Sequence, residues 1–131
     1  MESCDIFAPK ICFQLTGAQF VLLDSKEILS VEADGQVCYI SLLDGNRLTV
    51  ARHLGYYKNS LMQRYRFVEV SKSVLVNAHH IYRYSHREQL LTLTTGKTFS
   101  PSKSKSIALN QLFQKYHLSQ ITTTETDSQE A

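Results

Sequence analysis

The sequence lacks the cysteine and histidine spacing that disulfide frameworks and metal sites require. Its three cysteines, Cys4, Cys12 and Cys38, are odd in number and form no C-x-x-C pair, so we expect reduced thiols. The five histidines give no better metal signal: His79 and His80 are adjacent and would point apart on a strand, and no cysteine or carboxylate stands near them at ligand spacing. The sequence therefore predicts neither a metal site nor another cofactor.

Long apolar runs are also missing. No stretch approaches the roughly 20 residues of a membrane-spanning helix. The first residues, MESCDIF, lack the basic and apolar regions of a signal peptide. A chain of 131 residues is long enough for one hydrophobic core and too short for two. We therefore expect a cytoplasmic protein with a single domain.

Enzyme motifs are absent as well. The sequence has no glycine-rich phosphate loop, no G-x-S-x-G, no H-E-x-x-H and no paired carboxylates in an apolar setting. Asp34 and Asp44 each precede a glycine, where a turn alone explains an aspartate. We therefore predict that the chain is not an enzyme.

Basic residues are concentrated in the second half of the chain. Residues 61–118 contain nine lysines and arginines against two glutamates, a net charge of +7, whereas residues 1–60 carry −2 and residues 119–131 carry −3. A one-sided basic surface favours an anionic partner such as nucleic acid. Many solvated protein faces are equally basic, so the signal is modest.

Turn dipeptides recur between short apolar segments. The pairs Thr16-Gly17, Asp34-Gly35, Asp44-Gly45 and Thr95-Gly96 supply the positive φ that hairpin turns need. The segments between them, such as VCYISLL and LLTLT, are short and rich in apolar or β-branched residues. The sequence therefore predicts a mainly β fold of short antiparallel sheets.

Two segments depart from the strand pattern. Apolar residues recur at helical spacing in residues 52–65, which predicts one short helix, and again in residues 103–117, which predicts a C-terminal helix with Ser102 as its N-cap. Residues 119–131 are polar and acidic, and we expect a disordered tail.

Lys72 interrupts an otherwise apolar strand pattern in residues 67–81. Val68, Val70, Val74 and Val76 would share one buried face, and an unbroken strand would place Lys72 among them. An unpaired buried ammonium costs several kcal/mol. The chain should therefore turn at residues 71–73 and hold the lysine in solvent, where it suits a phosphate or a guanine edge. A solvated hairpin lysine is the plainer interpretation of this motif alone.

The start of the second helix breaks a local rule. Lys103 and Lys105 lie in its first turn, where the helix dipole disfavours cations. A bound anion would reverse that effect, because free backbone N–H groups, serine hydroxyls and two lysines together suit a phosphate. A frayed and solvated helix end is the alternative.

The order of these elements resembles the LytTR DNA-binding domain of bacterial transcription regulators. That family has a strand ending in an acidic-alanine pair, a D-G hairpin, a short helix with spaced leucines, an F-x-R-x-H-[RK]-S-x-x-V-N stretch and a terminal S-[RK]. The matching residues here are Glu32-Ala33, Asp44-Gly45, Leu54 and Leu61, Phe67 through Asn77, and Ser102-Lys103. The resemblance covers roughly residues 10–117.

The resemblance implies an elongated, mainly β LytTR-type fold whose loops read successive major grooves of duplex DNA. The first loop, between Glu32 and Val37, offers Gln36 for an adenine edge or for solvent. The remaining implied DNA-binding residues are Lys72 and Ser73 in the second loop and Ser102, Lys103 and Lys105 in the third. Asn77 matches the family's V-N pair, and we expect it to hold a turn by local hydrogen bonds.

Two positions depart from the family pattern. Glu69 stands where the family usually has arginine, and Ser71 replaces the usual histidine. A glutamate facing the DNA backbone would repel phosphate, so Arg66 would have to substitute or the affinity would be low. Alternatively, Glu69 points away from DNA into a pair with Arg66 or Arg83. Lysine also lacks the bidentate fork of arginine, which argues for weaker base discrimination at Lys72 and Lys103.

The resemblance divides the chain into an N-terminal extension (1–9), a LytTR-like domain (10–118) and the acidic tail (119–131). With the β domain beginning near residue 10, we expect no upstream receiver domain, unlike many response regulators of this family. Control would then come from abundance, from a separate membrane or sensor protein, or from nothing at all.

The expected function is sequence-specific binding of double-stranded DNA in transcription regulation, with two copies, possible homodimers, on repeated half-sites. The alternative is a protein-interaction module on the same fold that has lost DNA binding, which Glu69 makes conceivable. RNA binding is a weaker option, because the seven tyrosines and six phenylalanines lie mostly at core spacing and offer no stacking platform.

Overall fold

The computed structural model describes residues 6, 7 and 9–117, which form ten strands and two α-helices. The elements of the first half are β1 (Lys10–Leu15), β2 (Gln19–Asp24), β3 (Ile28–Asp34), β4 (Val37–Leu42), β5 (Arg47–Val50) and α1 (Leu54–Arg64). Those of the second half are β6 (Phe67–Ser71), β7 (Val74–Asn77), β8 (Ile81–Ser85), β9 (Leu90–Leu93), β10 (Thr98–Phe99) and α2 (Lys103–Lys115). Two short 3-10 turns, Ser25–Glu27 and Ala78–His80, precede β3 and β8.

The mainly antiparallel β fold and both helices are confirmed. The helix predicted over residues 52–65 spans Leu54–Arg64, and the one predicted over 103–117 spans Lys103–Lys115. The acidic tail, residues 119–131, lies outside the described residues, as does most of the N-terminal extension.

The strands form two antiparallel sheets. The larger has seven strands in the order β2-β1-β5-β4-β3-β7-β6, and the smaller has three in the order β10-β9-β8. Because β3 pairs with β7 through Glu32 and Val74, the turn after β3 and the turn before β7 emerge at the same end of the large sheet. We call this the turn end of the sheet.

The hairpin turns form where the Asp-Gly pairs predicted them. Gly35 has φ +63° between β3 and β4, and Gly45 has φ +95° between β4 and β5. Residues that carry a side chain rarely adopt these positive φ angles, so glycine is the residue that suits both positions. The Asp44 side chain also accepts a hydrogen bond from the Asn46 amide (2.9 Å), which tightens the second turn.

The first hydrophobic core lies between α1 and one face of the large sheet. α1 contributes Leu54, Tyr57 and Leu61, which are spaced three and four residues apart and share one side of the helix. Tyr57 packs edge-on against the fully buried Phe13 of β1, with the ring centroids 5.1 Å apart. This contact ties the helix to β1, next to the edge strand β2.

The second core lies on the opposite face of the same sheet, toward the small sheet. Val70 and Val76 are buried there against Leu91 and Leu93 of β9, and Val68 and Val74 pack beside them half-buried. The predicted shared face of these four valines is thus confirmed. Their neighbours Phe67 and Leu75 point the other way and are buried in the first core. The β6–β7 hairpin is therefore covered on both faces.

The expectation that the aromatic residues lie mostly at core positions holds for about half of them, since six of the thirteen belong to or pack against the two cores. Aromatic side chains that are exposed include Phe7, Phe20, Tyr56, Tyr82, Phe113 and Tyr116. Phe20 on β2 and Tyr82 on β8 occupy strand positions that face solvent, and Tyr56 lies on the exposed side of α1. Sequence spacing alone does not reveal which face of an element is covered.

Within the described residues, no helix is long and apolar enough to cross a membrane. The same residues contain no group of three or more His, Cys, Asp or Glu side chains that could hold a metal ion. Cys12 and Cys38 are free thiols, whereas Cys4 lies outside the described part of the chain. Burial raises the pKa of the Cys38 thiol to about 11.

Candidate nucleic-acid interface

Lys72 lies in a tight turn between two strands, as the sequence predicts. β6 ends at Ser71, β7 begins at Val74, and the side chain of Lys72 is exposed. The Ser71 hydroxyl accepts a hydrogen bond from the Ser73 amide (3.3 Å), which closes the turn. The pairing register also shifts between Glu69 and Ser71, so the strand leaves its regular path before the lysine. The ammonium is thereby kept out of the valine face.

Gln36 lies in the neighbouring turn, between β3 and β4, and its side chain is exposed. The two turns are joined by a backbone hydrogen bond from the Ala33 amide to the Ser73 carbonyl (2.7 Å). This bond fixes the first turn beside the second, so Gln36 and Lys72 belong to one end of the molecule.

The start of α2 is attached to the same end. The Ser102 amide donates a hydrogen bond to the Val70 carbonyl (3.0 Å), which holds the helix start against β6. Ser102 occupies the N-cap position, but its side chain makes no capping hydrogen bond. The backbone N–H groups of the first turn therefore keep their capacity to bind an acceptor.

A cleft of about 570 Å³ separates the Lys72 turn from the start of α2. Its lining residues are Lys58, Glu69, Ser71, Lys72, Ser73, Ser102, Ser104 and Lys105. We call it the serine-lysine cleft. It brings together Lys72, Ser73, Ser102 and Lys105 of the predicted site. Gln36 and Lys103 are exposed but do not line it.

Glu69 lines this cleft and is held by two lysines. Its side chain is only 11% exposed, and its carboxylate contacts Lys105 Nζ (2.8 Å) and Lys58 Nζ. Burial raises the pKa of the Glu69 carboxyl, but the hydrogen bonds from Lys105 and Lys58 together outweigh that effect, so the pKa is lowered. The carboxylate is therefore ionised and internally neutralised.

This arrangement corrects one expectation about Glu69 and one about Lys105. The partners of the glutamate are Lys58 and Lys105, and the sequence had suggested Arg66 or Arg83. The anion that compensates Lys105 in the first turn of α2 is thus part of the protein itself. Lys103, by contrast, makes no ion pair with any residue from 6, 7 or 9–117 and remains exposed.

Asn77 holds its turn by hydrogen bonds, as expected. Its side-chain oxygen accepts from the His79 amide (3.0 Å), which caps the 3-10 turn that follows. Its side-chain nitrogen donates to the carbonyls of Ser25 (2.8 Å) and Ile28 (2.9 Å). The residue is 2% exposed, so it joins two distant turns and does not face the serine-lysine cleft.

Sequence reasoning missed two basic residues near the turn end. Lys58 lies on α1, eleven residues before Glu69, and no local spacing signals that the two meet. Lys97 reaches back from the small sheet to Glu32 (3.2 Å), and its ammonium lies over the Phe99 ring (5.1 Å to the centroid). Both pairings depend on tertiary contacts between separate elements.

The model of the LytTr DNA-binding domain family matches residues 18–114 of the chain. Among solved structures, the chain is similar to the LytTr DNA-binding domain of a protein from Bacillus cereus described as a methyl-accepting/DNA response regulator. The TM-score is 0.63 and the identity 19%, over 79% of this chain and 95% of that one, so the similarity concerns the fold. No curated protein matches the chain.

Proposed function

We propose that this chain, which belongs to the LytTr DNA-binding domain family, binds double-stranded DNA through the turn end of its large sheet. The observation that carries the proposal is the serine-lysine cleft, which assembles hydroxyls and ammonium groups from two separated segments. Serine hydroxyls, lysines and a helix N-terminus are the groups that commonly bind phosphate oxygens in protein–DNA complexes.

The proposed roles follow from exposure and chemistry. Lys72 and Lys103 are exposed lysines without a carboxylate partner among the described residues, so each is free to reach a guanine edge or a phosphate. Gln36 carries an amide of the kind that pairs with adenine. Ser73 and Ser102 line the cleft and are exposed, so their hydroxyls suit phosphate contacts.

We further propose that the turns enter the major groove and read sequence, and that two copies bind repeated half-sites. Support for major-groove reading comes from the shape of the turn end, where two narrow hairpins lie side by side and are fixed by the Ala33–Ser73 hydrogen bond. A rigid pair of hairpin tips can present side chains to base edges without a recognition helix, because the major groove admits a two-stranded ribbon.

Glu69 favours a second candidate function. By pairing with Lys58 and Lys105, it neutralises part of the cationic charge of the serine-lysine cleft. A domain with this fold that has lost DNA binding does not need those lysine charges to be free. The second candidate is therefore a protein-interaction module, and it predicts no duplex preference.

The test begins with duplexes selected from a random pool by the purified full chain. Affinity for the selected duplex, for an unrelated duplex and for single strands is then measured by fluorescence anisotropy at several salt concentrations. We expect preference for the selected duplex and a steep fall in affinity with salt. Absence of any duplex preference, or a flat salt response, would favour the interaction module.

Lys72→Ala and Lys103→Ala should each weaken binding to the selected duplex by about 1–3 kcal/mol while leaving the fold intact. Lys10→Ala is the matched control, because Lys10 is an exposed lysine at the start of β1, opposite Asp24 in the β1–β2 register and in none of the segments proposed to contact DNA. Equal affinities for all three variants would show that the turn end does not contact DNA.

A further inference from the structure

A second cleft, of about 420 Å³, lies at the end of the large sheet opposite the turn end. Its lining residues are Ser25, Lys26, Arg64, Tyr65, Arg66, Asn77, Ala78 and His79. They come from three segments: the turn before β3, the end of α1 with the residues before β6, and the turn after β7. We call it the basic cleft, and the proposed DNA contacts make no use of it.

Hydrogen bonds fix the three segments to one another. The Ala78 amide donates to the Arg66 carbonyl (3.1 Å). The Asn77 side chain donates to the Ser25 carbonyl (2.8 Å), and His80 Nε2 lies 2.5 Å from the Lys26 carbonyl. Each wall of the cleft is therefore tied to another wall, and the backbone that carries the basic side chains is held in place before any ligand arrives.

Within the described part of the chain, the basic side chains of this cleft have no acidic partner. Lys26, Arg64 and Arg66 are exposed and form no ion pair with any residue that the structure describes. The two carboxylates nearest to Lys26 in sequence, Asp24 and Glu27, do not line the cleft. Asp24 accepts from the Lys26 amide (3.0 Å), and Glu27 accepts from the Asp24 amide (2.9 Å). The cleft is therefore cationic.

Helix electrostatics explain only one of these residues. Arg64 lies in the last turn of α1, where a cation interacts favourably with the helix dipole. The same reason does not apply to Lys26 or to Arg66, which lies beyond the helix. Arg66 also has φ +61°, a backbone conformation that a bulky residue rarely adopts, and such outliers concentrate at functional sites.

We propose that the basic cleft binds a phosphate group. Two guanidinium groups can each donate paired hydrogen bonds to phosphate oxygens, and Lys26 and His79 add further donors from the opposite walls. The volume exceeds that of a bare anion and falls within the range of small-molecule sites, so the phosphate has room for the group that carries it.

This site is separate from the proposed DNA contacts. Asn77 and Lys72 lie at opposite ends of the short β6–β7 hairpin, whose strands of four and five residues span about 13–17 Å. The phosphate can belong to a small molecule or to a DNA backbone that extends past the sheet. The chemistry is the same for both, and the proposal does not depend on the proposed function.

The test uses the full chain, labelled with ¹⁵N, and inorganic phosphate as the probe. Phosphate is titrated against chloride at equal ionic strength while the backbone amide resonances are followed. We expect saturable shifts at Lys26, Arg66 and Ala78 that chloride does not produce. Because each resonance reports on its own residue, phosphate binding in the serine-lysine cleft would be seen separately, at residues 71–73 and 102–105.

Arg66→Gly removes the guanidinium at a position whose positive φ glycine adopts without strain. We expect it to weaken phosphate binding at this cleft by about tenfold. Two controls match it: Gln89→Gly makes the same backbone change at φ +52°, and Arg87→Gln removes an exposed charge outside the cleft. Equal shifts in phosphate and chloride, or equal binding by Arg66→Gly and both controls, would overturn the proposal.

Adding the selected duplex identifies the source of the phosphate. A small-molecule source predicts that the resonances of Lys26, Arg66 and Ala78 do not move with DNA and that Arg66→Gly keeps normal DNA affinity. A backbone source predicts that they shift with DNA and that Arg66→Gly makes the salt dependence shallower by about one phosphate contact.

Discussion

Replacing Glu69 by glutamine tests how the charge of the serine-lysine cleft is controlled. The carboxylate is 11% exposed and is shared between Lys58 and Lys105, whose side chains are 34% and 33% exposed. Glutamine keeps the size of the side chain and one acceptor oxygen but removes the negative charge. Both ammonium groups then lose their counter-charge and can turn toward a phosphate.

The expected effects on stability and on DNA binding have opposite signs. A hydrogen bond to a charged group contributes about 1.5–3 kcal/mol, but both lysines are one-third exposed and regain water when released. We therefore expect Glu69→Gln to lower the free energy of unfolding by about 1–2 kcal/mol. Since one or two additional phosphate contacts become possible, the slope of log affinity against log salt should steepen by about 0.9–1.8.

The assay measures urea unfolding and duplex affinity at four salt concentrations for Glu69→Gln and for Glu88→Gln. Glu88 is an exposed glutamate without an ion pair in the described residues, so its replacement changes the net charge equally and releases no lysine. If Glu69→Gln leaves stability unchanged and shows the same salt slope as Glu88→Gln, then Lys58 and Lys105 are neither held by Glu69 nor available to DNA. That result would contradict the proposed control of the cleft charge by Glu69. Glu69→Arg, which family resemblance alone would favour, should destabilise the fold, since it places a third cation between these lysines.

Three further outcomes follow from the structure. The pKa of the Glu69 carboxyl is lowered on folding, so the ionised carboxylate stabilises the folded state. That contribution is complete above the ordinary carboxyl pKa of about 4.3 and is lost as the pH falls through the folded-state pKa. The difference in unfolding free energy between wild type and Glu69→Gln should therefore shrink from pH 7 to pH 3. Asn77→Ala should cost about 2–4 kcal/mol in urea unfolding, because it leaves the Ser25 and Ile28 carbonyls without their buried donor; a loss below 1 kcal/mol would contradict this. Alkylation at pH 8 followed by peptide mass spectrometry should modify the exposed Cys12 well before the buried Cys38, whose pKa is raised to about 11, and equal rates would disprove the burial.

Local sequence signals predicted much of the fold. Asp34-Gly35 and Asp44-Gly45 form turns because the positive φ they need is a property of single residues. The turn at Lys72 was predictable because an ammonium cannot share a face with four valines. The sequence did not show that the β6–β7 hairpin is covered on both faces, since that depends on α1 and the small sheet packing against opposite sides of it.

The candidate site was predictable only in its local parts. Exposure of Lys72, Gln36 and Lys103 follows from turn and helix-start positions, and the structure agrees. The pairing of Glu69 with Lys58 and Lys105 joins three elements that no periodicity connects. The basic cleft was missed for the same reason, because its walls come from segments about forty and eleven residues apart along the chain.

The most direct test of the central claim is a map of the DNA contacts on the ¹⁵N-labelled full chain with the selected duplex. We expect the largest amide shifts at residues 35–36, 71–73 and 102–105, and we expect Lys72→Ala and Lys103→Ala to reduce affinity while Lys10→Ala does not. Shifts that avoid all three segments, or the absence of any shift at saturating duplex, would contradict the central claim.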